Sequence, residues 1–414
     1  MNTKTRAIYH DSSKVVRFLM VVLLTGISYG LYKGVQDNYL AELVHINEFE
    51  RGIVEFFREL PGLLLIFILA TLYRFSETKV FKVGTAITLA GALGLVLFST
   101  GKVVVVLFMV VYSLGEHMVM PVKNTISLHF AKTGKGGSSL GVTSAMNNAG
   151  NIAGYLLVTV LFLLFPRFGL AKNSLASFKI IFFLSAVLLL GATLVSLAMV
   201  DHGTTVKRQR LFFARKYGKY YGLEVFYGAR KQVFMTFAPY VLILHYGANA
   251  SVIALLLAIS AIFGMIFSPL IGRLIDYAGY KFVMVTDTLA LVIVCFFYGF
   301  SHRLFPAHIA FYVVCVNYVL DSIISLCAIA SSVYVQDIAT NQEEVTATLT
   351  TGISVNHLIS VLIALLGGWI WKITGIEVLF TLSAILGIIN SIFAASIKLP
   401  KKGERGVKTE PQIS

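Results

Sequence analysis

The sequence predicts an all-α polytopic membrane protein, with twelve transmembrane helices arranged as two pseudo-symmetric six-helix bundles. Three observations predict it: apolar residues dominate the whole chain, basic residues gather in alternate loops, and short motifs recur between the two halves. Of the 414 residues, 57% are hydrophobic and only 13% charged, more apolar than soluble domains are. A helix needs about 20 apolar residues to cross ~30 Å of hydrocarbon, so twelve spans with short loops fill the chain and leave little for a soluble catalytic domain.

Apolar runs between polar breaks place the first six spans at 17–39, 51–72, 80–100, 104–130, 138–165 and 178–200. The second six fall at 221–245, 251–272, 281–300, 307–335, 345–371 and 377–398. The first run has no small-residue cleavage site and continues into Lys33 and Gln36, so it reads as a retained span and not a signal peptide. Runs longer than 25 residues suit helices that tilt or project beyond the bilayer. The domains follow as an N-terminal bundle over 1–200, a basic cytoplasmic linker over 201–219, a C-terminal bundle over 220–398 and a cytoplasmic tail over 399–414.

The formal net charge of +14 could point to nucleic acid, so its distribution decides. Segments 1–17, 73–82, 131–138, 201–220, 272–281 and 398–414 hold 22 of the 34 Lys and Arg residues. The loops on the other side hold about seven, an asymmetry that places both termini in the cytoplasm of a plasma (inner) membrane. The partners expected are therefore a lipid bilayer and a small-molecule substrate, with protons as a coupling ion and no nucleic acid, for a chain working as a monomer. No cofactor or metal is expected. Cys295, Cys315 and Cys327 lie inside spans without CxxC spacing or a neighbouring His. Gly134-Lys135-Gly136-Gly137-Ser138 fails as a phosphate loop, because the required earlier glycine is His129. No GxSxG, HExxH or dinucleotide fingerprint is present, so nothing supports an enzyme.

Internal repetition is the sign of duplicated transporter halves. Tyr29-Gly30-Leu31-Tyr32-Lys33-Gly34-Val35 matches Tyr227-Gly228-Ala229-Arg230-Lys231-Gln232-Val233 as YGxxKxV at an offset of 198. Ala70, Arg74, Glu77 and Lys79 lie over Gly272, Asp276, Gly279 and Lys281 at about one helical turn more. Met146-Asn147-Asn148 corresponds to Val355-Asn356-His357.

The loop Gly272-Arg273-Leu274-Ile275-Asp276-Tyr277-Ala278-Gly279-Tyr280-Lys281 resembles the G-x-x-x-D-x-x-G-x-[KR] loop of the major facilitator superfamily. That resemblance implies the fold of those secondary transporters and a cytoplasmic gate at Gly272, Asp276, Gly279 and Lys281. There the glycines would permit a tight turn and Asp276 would cap the following helix. The first-half copy is degraded to Ala70, Arg74 and Glu77. Asn151, in Gly150-Asn151-Ile152-Ala153-Gly154, stands where drug antiporters of the superfamily have proline, which disfavours a multidrug antiporter. Tyr227-x-x-Arg230-Lys231 resembles, in part, the first-span Tyr-x-x-Arg-Lys of the organophosphate:phosphate antiporters.

Ionised groups inside spans are costly, about 2.5–3.5 kcal/mol each on insertion scales, and mark pathways or internal pairs. Tyr29, Lys33, Asn147, Asn151, Tyr227, Arg230, Lys231, Asn356 and His357 are the candidate substrate residues. Lys33 and Lys231, set at equivalent positions by the repeat, form a cationic clamp for a phosphate or carboxylate, or else pair internally with Asp37 and Glu224. Adjacent helical residues point about 100° apart, so only one of Arg230 and Lys231 faces a ligand. Glu55, Arg58 and Glu59 share one helix face and read as an ion-pair latch. Glu116, His117 and Asp321 are the candidates for proton coupling, His being able to change charge near neutral pH. The Asn residues, Asn148 and Asn317 among them, orient a polar solute or join helices. The function expected is a secondary active transporter moving a small anionic solute by alternating access; the alternatives are a lipid or lysolipid flippase of the same fold and a carrier of a neutral or zwitterionic solute.

Overall fold

In the computed structural model, which describes residues 7–10, 12–72, 74–98, 100–201 and 212–398, the predicted spans are helices. The linker over 202–211 and the tail over 399–414 lie outside the described residues. The helices of the first half are α1 (Ser12–Asn38, prolonged by a π-helical turn at Tyr39–Leu43), α2 (Glu48–Thr71), α3 (Glu77–Leu97), α4 (Lys102–Phe130), α5 (Gly136–Leu164) and α6 (Leu175–Leu197). Those of the second are α7 (Gly218–Tyr246), α8 (Ala250–Ala278), α9 (Tyr280–Leu304), α10 (Ala307–Ser325, resumed after a 3-10 turn over Ile329–Ile338), α11 (Gln342–Thr374) and α12 (Ile376–Ala395).

Local signals set the helix starts. Ser76, Ser174 and Asn341 are N-caps whose side chains accept from Lys79 N, Ser177 N and Glu344 N, and each satisfies a backbone donor the helix leaves open. Gly279 turns the chain between α8 and α9 at φ +85°, and Gly375 turns it between α11 and α12 at φ +90°, conformations that side chains disfavour. Pro61, Pro121, Pro239 and Pro269 sit inside helices, as membrane helices allow.

Ten of these helices are long and apolar enough to span a bilayer. The other two, α2 and α7, are those that carry Arg51, Glu55, Arg58, Glu59, Glu224, Arg230 and Lys231. Large apolar side chains are exposed along the spans, among them Val103 at 82%, Leu97 at 67% and Ile392 at 67%. A soluble monomer does not present that much apolar surface; lipid covers it here.

The chain divides into two compact units: Met1–Asn47, Phe57–Arg208 and Ile243–Ala261 form the first, and Glu48–Phe56, Gln209–Leu242 and Ile262–Ser414 the second. The first turns of α8 therefore pack within unit 1, where Asn38 Nδ2 donates to Ala248 O at 2.8 Å and Thr159 Oγ1 to Ser251 O at 3.4 Å. The first turns of α2 pack within unit 2, where a Cβ on Gly52 would meet Ala364 O at 2.2 Å.

Small residues let helices cross closely inside each unit. In unit 1 a Cβ added to Gly30 of α1 would lie 2.3 Å from Asn151 O of α5, and one added to Gly154 would lie 2.3 Å from Ile27 O. In unit 2 a Cβ on Gly228 of α7 would lie 2.9 Å from Asn356 O of α11. Each unit thus has a glycine crossing, but only in unit 2 do the recurring Tyr-Gly and Asn motifs meet; in unit 1 Gly30 sits on Asn151, and Asn147 lies one turn along against Gly26.

The chain before α1 is tied to the α4–α5 turn of unit 1: Lys132 N donates to Ile8 O at 2.8 Å and His10 N to Phe130 O at 3.2 Å. In unit 2, Lys216 lies 2.7 Å from Glu344 at the start of α11. Burial opposes the Lys216 charge, but the interactions with Glu344 and Tyr217 together outweigh it and hold the ammonium above the ordinary lysine value.

Candidate functional site

In unit 1 the in-span ions are arranged so that charges of both signs meet. Lys33 Nζ donates to Asp37 Oδ2 at 3.5 Å, one turn along α1. Arg58 pairs with Glu59 at the next position of α2. Lys123 of α4 donates to Asn147 Oδ1 of α5 at 2.8 Å, and Glu116 stands within electrostatic reach of Arg58, Lys123 and Lys33. His117 Nδ1 lies 2.8 Å from Ser113 O. A carbonyl only accepts, so Nδ1 carries the proton. Ser113 Oγ in turn donates to Arg58 O at 2.6 Å, tying α4 to α2. The Asn151 amide, turned to donate, reaches Gly26 O at 3.0 Å and Asn147 O at 3.2 Å. Asn151 thus joins α1 to α5.

In unit 2 the arrangement differs. Arg230 is 7% exposed and turned into the bundle, where Nη1 donates to Asp287 Oδ2 at 3.3 Å and Nη2 to Asp321 Oδ1 at 3.4 Å. Its Nη2 also reaches Ser325 Oγ at 3.5 Å. One cation of α7 therefore holds carboxylates of α9 and α10 together. Lys231, about 100° around the helix, is half-buried and forms no salt bridge among the described residues. The internal partner expected for it, Glu224, instead accepts from Ser331 Oγ at 3.2 Å and Asn356 Nδ2 at 3.4 Å, with Lys231 acting on it only electrostatically. Of the two adjacent cations, Arg230 is the structural one and Lys231 the available one.

In the expected latch of Glu55, Arg58 and Glu59, Arg58 pairs with Glu59 and Glu55 has a further partner in Arg51. Glu55 takes Arg51 Nη1 at 2.8 Å, and Arg51, fully buried, also lies 5.5 Å from the Tyr240 ring centroid. The reason is geometric: Arg51 and Glu55 are four residues apart, the spacing that brings helical side chains together. Sequence reading missed Arg51 because it stands at the first residue of the predicted span. Asp287 lies inside the predicted span 281–300, but nothing local signals that it meets Arg230.

The gate loop needs two corrections. Gly272 does not turn the chain: α8 runs on to Ala278, because Ile275, 4% exposed, continues its buried stripe into a cluster with Tyr280 and Tyr334. Asp276 does not cap α9 either, since it lies exposed in the last turn of α8 and the N-cap is Gly279, without a side-chain cap bond. Gly279 does make the turn, and Lys281 Nζ donates to Ile397 O at 2.9 Å.

Long apolar helices with ions held in their interiors define a polytopic all-α membrane protein. Residues 221–413 match the family model of the Major Facilitator Superfamily. No curated protein matches the chain. Among solved structures, the nucleoside transporter NupG superposes with a TM-score of 0.72 at 14% identity, covering 94% of this chain and 100% of that one. A D-xylose-proton symporter gives 0.71 at 14% identity over 95% and 100% of the two chains. A bacterial homologue of the iron transporter ferroportin, in an inward-facing state, gives 0.72 at 13% identity over 93% and 99%. At such identities the shared property is the fold, and it runs the length of the chain. Residues 221–413 are thus similar to the Major Facilitator Superfamily, and the chain shares the fold of these solved transporters.

Proposed function

We propose that this protein is a secondary transporter carrying a small solute with one anionic group, a carboxylate or phosphate, across the plasma membrane by alternating access, with both termini cytoplasmic. The observation that carries the reading is Lys231, the half-buried in-span cation of α7 that no described carboxylate bridges. An ammonium held at that cost is stabilised by a passing anion. Tyr227, one turn earlier on the same helix, shares its face and can orient the solute. Lys33, in unit 1, is the weaker candidate cation, since Asp37 already holds it. That pairing favours a singly charged solute over a dianion. It also motivates the second reading, a neutral or zwitterionic solute. Glu116 and His117, successive residues of α4 beside the charges of Arg58 and Lys123, are the groups through which protons would couple.

The test is uptake into proteoliposomes of a panel of monocarboxylates, organic phosphates, zwitterions, sugars and lysolipids. Anions should be preferred, and Lys231→Gln should reduce their uptake at least tenfold, against a smaller loss for Lys33→Gln. Preference for a cation or a neutral sugar, transport of lysolipid alone, or anion uptake indifferent to Lys231→Gln overturns the proposal.

A further inference from the structure

Inside unit 2, side chains of α7, α9, α10 and α12 line a chamber of about 30 Å³, its polar wall made by Glu224, Tyr227, Arg230, Asp287, Ser331 and Asn390. One water needs roughly 10–15 Å³ on that measure, so the chamber has room for one or two atoms of that size. Two of the oxygens of these lining residues, Asp287 Oδ1 and Asn390 Oδ1, are buried and have no hydrogen-bond partner among the described residues. The Asp287 side chain is only 10% exposed. Buried acceptors are normally satisfied, and two of them on one chamber indicate a group that is absent from the bare chain.

Charge says which kind of group. Arg230 and Lys231 face Glu224, Asp287 and Asp321, two cations against three carboxylates, which leaves one negative charge. The hydrogen bonds of Arg230 run to Asp287 Oδ2, Asp321 Oδ1 and Ser325 Oγ and not to the orphan oxygens. A water could bridge the two acceptors but would leave the charge standing, and a divalent ion would reverse it. Carboxylate, amide and hydroxyl oxygens are ligands for hard cations.

We propose that this chamber binds one sodium-sized monovalent cation, held by Asp287 Oδ1 and Asn390 Oδ1, with oxygens of Glu224, Ser331 and Tyr227 available to complete its shell. The site lies wholly within unit 2 and shares Tyr227 with the anion reading, but ion binding is measured without any solute, so the two fail separately.

Binding of ²²Na⁺ to the purified full-length protein, in choline buffer and without any solute, tests it. The result expected is saturable binding of one ion per chain that an excess of unlabelled sodium competes away and choline does not. Asn390→Ala and Asp287→Asn should each weaken it at least tenfold. Because Asp287→Asn disturbs the Arg230 pair and could impair folding, Asn390→Asp provides the opposite arm and should tighten binding. Absence of saturable binding, binding unchanged by both Asn390 variants, or a chain that responds to pH alone and is indifferent to sodium overturns the proposal.

Discussion

Removal of the Arg230 guanidinium gives the sharpest test of how unit 2 is held together. Each carboxylate lies about one hydrogen bond from it, at 3.3 Å for Asp287 and 3.4 Å for Asp321. At an effective dielectric of 20, a pair at that separation attracts by about 5 kcal/mol, most of which is opposed by desolvation of the ions. Arg230→Met removes the attraction and keeps the desolvation, leaving two like charges in the interior, and breaking a buried pair in this way costs about 3–5 kcal/mol. With a shift of about 2–4 °C per kcal/mol for a unit of this size, the apparent melting point should fall by roughly 6–20 °C. The assay is thermal unfolding of the purified protein in sodium-free detergent solution, scanned at one fixed rate because membrane proteins unfold irreversibly. Arg230→Met with Asp287→Asn and Asp321→Asn removes the stranded charges as well and should recover most of the loss. A single variant that melts within about 2 °C of wild type, or a triple variant no better than the single, would refute the reasoning.

Four further outcomes are expected. Gly30→Val and Gly228→Val should both abolish stable expression, since the added carbons meet backbone oxygens at 2.3 and 2.9 Å, whereas Gly264→Ala, with open space around it, should express normally on size-exclusion profiles. Deletion of residues 1–10 should speed hydrogen exchange at Ala131 to Lys135 by removing the bonds that tie that turn to Ile8 and His10, and unchanged exchange would count against the tie. Lys216→Ala should lower the melting point only slightly, because Lys216 is exposed; the raised lysine loses its charge only as pH climbs through its value and Glu344, held at about 2, loses its share only as pH falls below the ordinary carboxylate range, so the effect should be flat between about pH 5 and 9. Asp276→Asn should leave the melting point alone, as the residue is exposed and caps nothing, and should act only on the rate of transport if the loop gates.

The spans were legible because twenty-residue apolar runs have few other uses, and the helices begin three residues before the predicted starts where the polar caps Ser76, Ser174 and Asn341 lie. The repeat was legible as letters but not as a crossing: that Gly30 sits on Asn151 O and Gly228 on Asn356 O is a distance no sequence carries. Pairings at helical spacing could be read, as Lys33 with Asp37 shows, and Arg51 with Glu55 could have been, had the span been begun one turn earlier. Those across helices, Arg230 to Asp287 and Asp321 or Lys123 to Asn147, depend on which faces of distant helices meet. Asn390 had a signal, a lone amide inside the apolar run Leu386-Gly387-Ile388-Ile389-Asn390, which reads as membrane glue until its neighbours are known.

The glycine crossings also supply a ruler. Where backbones of α1 and α5 touch through Gly30 and Gly154, neither helix can slide without forcing a carbonyl into a carbon, and the same holds for α7 and α11 at Gly228. Spin labels placed one on each helix of such a pair, beyond the crossing, should therefore give a single narrow distance distribution whatever solute, ion or pH is present. That silence is useful: it calibrates label flexibility in the same molecule, so any broadening seen between other helices can be assigned to the transport cycle and not to the probe.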